Sequence, residues 1–161
     1  MADLRAWLEE LGLKHVRTYL QSGNAVFQSD QPRVSLAPAI EEKIEKEAGF
    51  AVRVVVRTAQ ELKRVVGINP FLKRDGVDAA KLHVTFLAEK PEAGAREKLQ
   101  GLPRGGDEFE IIDREMFLHC PNGYGTSKVG NNVLEKAAGS AATTRNWRTV
   151  NALCDMCKEQ G

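Results

Sequence analysis

The order in which two kinds of periodicity follow one another constrains this chain most. Leu4, Trp7, Leu8 and Leu11 fall at helical spacing, and Gly12 ends the run. Two period-2 alternations follow. One runs over residues 15–20 with Val16, Thr18 and Leu20 on one face, the other over residues 24–28 with Ala25 and Phe27 together. Ser22-Gly23-Asn24 between them is turn chemistry. Leu36, Ile40 and Ile44 then stripe a helix over residues 35–48 that Gly49 stops, and Val52, Val54 and Val56 line one face of an expected strand. Thr58 and Glu61 form a capping box ahead of a short helix carrying Leu62, Val65 and Val66.

After a loop over residues 68–79, with Asn69-Pro70 and Asp75-Gly76 as turn signals, the pattern restarts. Leu82, Val84 and Phe86 mark a strand, and residues 91–100 a helix with Leu99 inward. Residues 108–112 and 116–120 read as two strands turned near Asp113-Arg114. A Gly- and Asn-rich loop covers 121–132 and a short helix holds Val133 and Leu134. The last helix starts at residue 145 and carries the stripe Trp147, Val150, Leu153 and Cys157.

The halves therefore read α-β-β-α-β and β-α-β-β-α. Both are pieces of β-α-β-β-α-β, the split unit of ferredoxin-like folds. The expected fold is α+β, with two tandem ferredoxin-like units over residues 1–72 and 73–161, the first lacking its opening strand. That strand sits in mid-sheet, so its absence leaves two neighbours with open backbone groups, each costing about 1–3 kcal/mol if buried unsatisfied. The expectation is that the natural chain starts before Met1, or that another segment or a second copy fills the gap.

Twenty-three basic and 22 acidic residues leave a net charge of +1, which argues against a dedicated duplex-DNA binder. No apolar run is long enough to span a bilayer, and the N-terminus has neither signal- nor transit-peptide character. Three cysteines, an odd number, fit a reducing cytoplasm better than a disulfide framework.

Several short segments run together in an order that is itself specific. They are Met1-Ala2-Asp3-Leu4-Arg5, Leu11-Gly12, Val16-Arg17-Thr18-Tyr19, Gln21-Ser22-Gly23-Asn24, Asn69-Pro70-Phe71, Thr144-Arg145-Asn146-Trp147 and Thr149-Val150. In these the chain resembles the bacterial domain-of-unknown-function family numbered 1697. The resemblance implies two ferredoxin-like units in tandem. It also implies an apolar strand and a Gly-Asn-rich loop ahead of the position of Met1, which this sequence does not carry. It brings no activity with it.

Chemistry has few places to sit. Gln21, Ser22 and Asn24 surround a hairpin turn, where they either orient a ligand or serve the turn itself. Arg145 and Asn146 are expected in the first turn of the last helix, capped by Thr143 or Thr144. There, free N–H groups favour an anion and a cation needs a negative partner. Lys128 follows Gly123-Tyr124-Gly125-Thr126-Ser127, which does not match a P-loop, yet can reach an anion. The expected ligand-binding set is thus Gln21, Ser22, Asn24, Lys128, Arg145 and Asn146. No catalytic residue, metal or cofactor is named.

Arg104-Gly105-Gly106-Asp107-Glu108-Phe109 spells the diguanylate-cyclase signature. A helix instead of a strand precedes it, and the strand at 82–87 offers no acid for a metal clamp. Cys154-x-x-Cys157 lies in a helix body, which suits buried cysteine better than zinc. Arg17, Arg53, Arg57 and Tyr19 suggest a sheet face for single-stranded nucleic acid, without the RNP consensus. The function expected is binding of an anionic or nucleotide-like small molecule. An enzyme acting on a phosphorylated small molecule and a single-strand binder are the alternatives.

Overall fold

The computed structural model describes residues 2–19, 23–91, 93–102, 105–124 and 130–159. Among them are six α-helices and two antiparallel sheets, a mixed α+β fold. The chain forms two compact units, Met1–Lys63 with Asn151–Gly161, and Arg64–Val150. The sequence boundary after residue 72 falls later, and the end of the last helix joins the first unit.

In the first unit, α1 (Ala2–Glu10) leads into a hairpin of β1 (Lys14–Tyr19) and β2 (Asn24–Gln28). Gly23 takes φ +82° in the turn, a conformation that costs glycine nothing. His15 adopts φ +53°, and the β1–β2 register shifts between Lys14 and Arg17. Helix α2 (Arg33–Ala48) follows and ends on Gly49 at φ +82°. It packs against α1 around Leu8, Leu13, Val16, Leu36 and Ile40, with Ala25, Phe27, Val54 and Val56 bordering that cluster. Lys43 ties α2 to α1 through Glu10 at 2.7 Å.

The strand expected over Val52, Val54 and Val56 does not form. Residues 51–58 carry no regular structure, and among the described residues β2 pairs with β1 alone. The composition suits a strand, but strand structure is a property of a ladder, and among the described residues none reaches this segment. The Thr58–Glu61 capping box forms at once afterwards. Thr58 N donates to Glu61 Oε1 at 2.8 Å and Glu61 N to Thr58 Oγ1 at 3.1 Å, at the start of α3 (Ala59–Ile68).

The second unit carries β3 (Leu82–Leu87), α4 (Ala93–Gln100), β4 (Glu108–Ile112), β5 (Glu115–His119), α5 (Asn131–Ala138) and β6 (Ala142–Asn146). The order across the sheet is β4-β5-β3-β6, all antiparallel, with β3 in the interior. Helices α4 and α5 cover one face around Leu87, Leu99, Met116, Leu118, Cys120 and Leu134. Five of the six β3 residues are buried, as an interior strand covered on both faces requires.

Strand β6 is a correction to the sequence reading, which starts the last helix at residue 145. The helix, α6 (Trp147–Glu159), starts two residues later, and Ala142-Thr143-Thr144-Arg145-Asn146 pairs with β3 along its whole length. With β6 added, the second unit shows all six elements in the order β-α-β-β-α-β.

Candidate functional site

The antiparallel β3–β6 register places Arg145 opposite Val84 and Thr143 opposite Phe86, on the face away from α4 and α5. Arg145 Nη1 donates to Thr143 Oγ1 at 2.6 Å and to the Thr144 carbonyl at 2.9 Å. The guanidinium is half-buried, and this burial pushes its pKa below the ordinary value. Asn146 is the cap itself, since its Oδ1 accepts from Thr149 N at 2.8 Å. Arg145 and Asn146 thus lie at the end of a strand instead of inside the first helical turn. Thr143 and Thr144 are strand residues, not caps. The expected element is displaced, yet both residues still border the amino end of α6.

Thr144 points to the other face. Its hydroxyl donates to Asn131 Oδ1 at 2.8 Å and lies 2.7 Å from Thr85 Oγ1. Asn131 Nδ2 donates to the Ala142 carbonyl at 3.0 Å, and Glu135 Oε2 accepts from Ala142 N at 2.8 Å. These bonds lock α5 onto β6 and so fix the strand that carries Arg145.

On the Arg145 face lies a second polar group. Arg74 Nη1 sits 2.8 Å from both oxygens of Glu108, and His119 Nδ1 is 3.4 Å from Glu108 Oε1. The Arg74 hydrogen bond holds the Glu108 carboxyl below its usual range; partial burial opposes this and His119 adds to it. Arg74 stacks 4.9 Å over the Phe71 ring, which tilts against His119 at 5.8 Å. Asn69 Oδ1 fixes this corner by accepting from Phe71 N at 3.0 Å. Sequence reasoning names Glu108 only within the cyclase-like segment, residues 104–109. Arg74 and Glu108 are too far apart in the chain for any local signal to join them.

The other named residues separate from this arrangement. Asn24, in the first unit, is buried and its Nδ2 donates to the Tyr19 carbonyl at 3.1 Å, closing the hairpin. Gln21, Ser22 and Lys128 lie outside the described residues. Arg53 pairs with Glu41 at 3.2 Å in the first unit. In the cyclase-like segment, α4 precedes the glycines and β4 opens at Glu108. Cys154 is buried on α6 and Cys157 half-buried; burial and then the neighbouring Cys154 push the Cys157 thiol up.

His83 stacks on Tyr124 with ring centroids 4.6 Å apart. Burial pushes its pKa below the usual imidazole value, while the Lys81 backbone pulls the other way.

These elements can be set beside known proteins. A family model described as a protein of unknown function, DUF1697, matches residues 1–117. The chain belongs to the DUF1697 family. A solved structure of conserved bacterial protein SP0830 from Streptococcus pneumoniae is similar, at a TM-score of 0.77 and 20% identity over 98% of this chain and 88% of that one. This likeness shows the fold alone. No curated protein matches the chain significantly. Among the described residues, no helix is long and apolar enough to cross a membrane.

Proposed function

We propose that this DUF1697 protein is a cytoplasmic binding protein for an anionic, phosphate- or carboxylate-bearing small molecule, held at the β6–α6 junction. The observation that carries this reading is the fixed, half-buried Arg145 guanidinium beside the amino end of α6. A desolvated cation with two of its directions set by Thr143 and Thr144 is preorganised for an anion. The helix start adds dipole and N–H groups of the same sign. Arg145 would supply charge and Asn146 would set the helix entry. In the same reading, the second unit is a complete ferredoxin-like split unit and the first is that arrangement one strand short.

The test is a thermal-shift screen against inorganic phosphate, nucleotides and sugar phosphates. A ligand at about 100 times its Kd adds roughly 2.7 kcal/mol, a rise of several degrees for a chain of this size. The rise should vanish in Arg145→Gln, weaken in Arg145→Lys and survive in Arg96→Gln, an exposed cation on α4. No rise with any of these anions removes the proposal.

A second reading, an enzyme acting on a phosphorylated small molecule, draws on Glu108 and His119. A carboxylate beside an imidazole on the Arg145 face is the arrangement that a general base requires. Turnover of a ligand found in the screen, lost in His119→Gln with binding retained, would select this reading over simple binding.

A further inference from the structure

We propose that His119 accepts a phosphoryl group on Nε2 from a small activated donor, an acyl phosphate or a phosphoramidate, while Arg74 holds the phosphoryl oxygens. This role rests on the enzyme reading above, from which it takes the Glu108–His119 pair, and makes no use of Arg145.

All three residues belong to the second unit. Register sets Glu108 of β4 directly opposite His119 of β5, and the short 3-10 turn Pro70–Lys73 delivers Arg74 to the same place. Arg74 Nη1 lies 2.8 Å from both Glu108 oxygens, and this hydrogen bond holds the carboxyl below its usual range. An ionised carboxylate only accepts hydrogen bonds. At the 3.4 Å contact with Glu108 Oε1, His119 Nδ1 is therefore the donor and carries the ring proton. In the neutral imidazole the lone pair then sits on Nε2. Arg74 fixes the charge of Glu108, and Glu108 fixes the tautomer of His119.

Nε2 is also the open nitrogen. It has no hydrogen-bond partner among the described residues, and it is not one of their buried unpartnered atoms, which are Asn69 Nδ2, His83 Nδ1 and Tyr124 Oη. Solvent reaches it, although the His119 side chain is only 15% exposed. His83 shows the opposite case, with its Nδ1 sealed and its ring stacked on Tyr124. Arg74 has spare capacity as well. Its side chain is about half exposed, and among the described residues its Nη2 and Nε have no hydrogen-bond partner. The guanidinium is braced 4.9 Å over the Phe71 ring, which tilts against His119 at 5.8 Å. Its remaining nitrogens form the planar fork that suits phosphoryl oxygens.

Charge favours transfer over simple binding. Glu108 already neutralises Arg74, so a resting anion gains little here. In transfer, the Nε2 lone pair forms the N–P bond as the P–O bond of the acyl phosphate, or the P–N bond of the phosphoramidate, breaks. The carboxylate or ammonia leaves with the electron pair. Nδ1 keeps its proton, so the phosphorylated ring is cationic and its new charge faces Glu108. The interaction strengthens only as the reaction proceeds, which is the condition for stabilising a transition state.

The test incubates the full chain with acetyl phosphate and, separately, with phosphoramidate. The reaction is quenched in base, because phosphohistidine is lost in acid, and read by fragment mass spectrometry and 31P NMR. One phosphoryl group should appear on His119, linked through Nε2. His119→Gln should carry none, and His15→Gln, at an exposed histidine of the first unit, should carry as much as the unaltered chain. Glu108→Gln, whose amide donates as well as accepts, should slow labelling about tenfold or more and let Nδ1 linkage appear beside Nε2. A merely structural carboxylate would not change which nitrogen is labelled. Arg74→Lys should slow labelling and leave the linkage unchanged, with near-UV circular dichroism as the check on folding. The proposal is overturned by a folded chain that neither donor labels, by label spread equally over the three histidines, or by linkage through Nδ1 of His119. If His119→Gln abolishes turnover of a phosphorylated ligand but His119 never carries a phosphoryl group, the general-base reading stands and this one falls.

Discussion

The two units contain the same kinds of helix but differ in what their strands hold. In the second unit the segment after α5 is a strand, bonded along its length to β3 and tied to α5 through Asn131, Thr144 and Glu135. In the first, the segment after α2 has Val54 and Val56 against the core and an Arg53–Glu41 ion pair, but no ladder. Helices close their own hydrogen bonds locally, so α2 and α5 form alike. A strand depends on a partner distant in the chain, and among the described residues no ladder reaches residues 51–58.

Matched core truncations give the largest test of this difference. Leu118→Ala, at a fully buried site in the complete sheet, should cost about 3–5 kcal/mol in urea unfolding. Leu36→Ala, in the cluster beside the open segment, should cost less, about 2–3 kcal/mol, because a less constrained site collapses more easily onto the cavity. Equal losses would mean that the first unit is packed as tightly as the second.

The polar lock comes next. Asn131→Ala leaves the Thr144 hydroxyl and the Ala142 carbonyl without that partner and should cost about 1–3 kcal/mol, with faster amide exchange along β6. The corresponding change in the first unit, Glu41→Ala, removes an ion pair to an Arg53 side chain that is 71% exposed and should move stability by no more than about 0.5 kcal/mol. A large effect there would show that residues 51–57 are held far more firmly than their lack of a ladder implies.

Helix ends should show no difference between the units. Gly49 and Gly139 end α2 and α5 at φ +82° and +68°, and an added Cβ would meet nothing within 4 Å at either. Alanine at each should cost about 1 kcal/mol, from the left-handed backbone alone. A clearly larger loss at Gly139 would place part of the difference in how tightly the chain turns into β6.

The same physics decides what was legible beforehand. The helices, the β1–β2 and β4–β5 hairpins and the Thr58–Glu61 box were readable, because capping, glycine stops and periodicity act over a few residues. Strand β6 was not, because Thr144 fills its helix-facing side with a hydroxyl bonded to Asn131, which hides the alternation of an apolar strand. Val52, Val54 and Val56 had the opposite fault, a strand composition with no ladder. For the candidate site, Arg145 and Asn146 stand out by residue type but were assigned to the wrong element. The Arg74–Glu108–His119 group was out of reach, since register across β4 and β5 and the turn at Asn69 bring it together.

That group gives a small effect, and the one most specific to the four-stranded sheet. The Arg74 hydrogen bond lowers the Glu108 pKa from its ordinary 4.5 in the folded protein, so below 4.5 the unfolded chain binds protons more readily than the native one. The resulting stabilisation is present above pH 4.5 and is lost as pH falls through the lower folded value. Both side chains are about half exposed, so solvent screening limits the pair to at most about 1 kcal/mol. Arg74→Ala should therefore lower stability slightly at pH 7 and flatten its fall below pH 4.5, measured by urea unfolding across a pH series. It also removes the cation over Phe71, so Glu108→Gln is the cleaner companion. It keeps the Arg74–Phe71 stack and abolishes the titration. If the acid slope survives in both variants, it arises from carboxylates elsewhere, and the β4–β5 edge owes its order to the ladder and to the Asn69–Phe71 turn, not to charge.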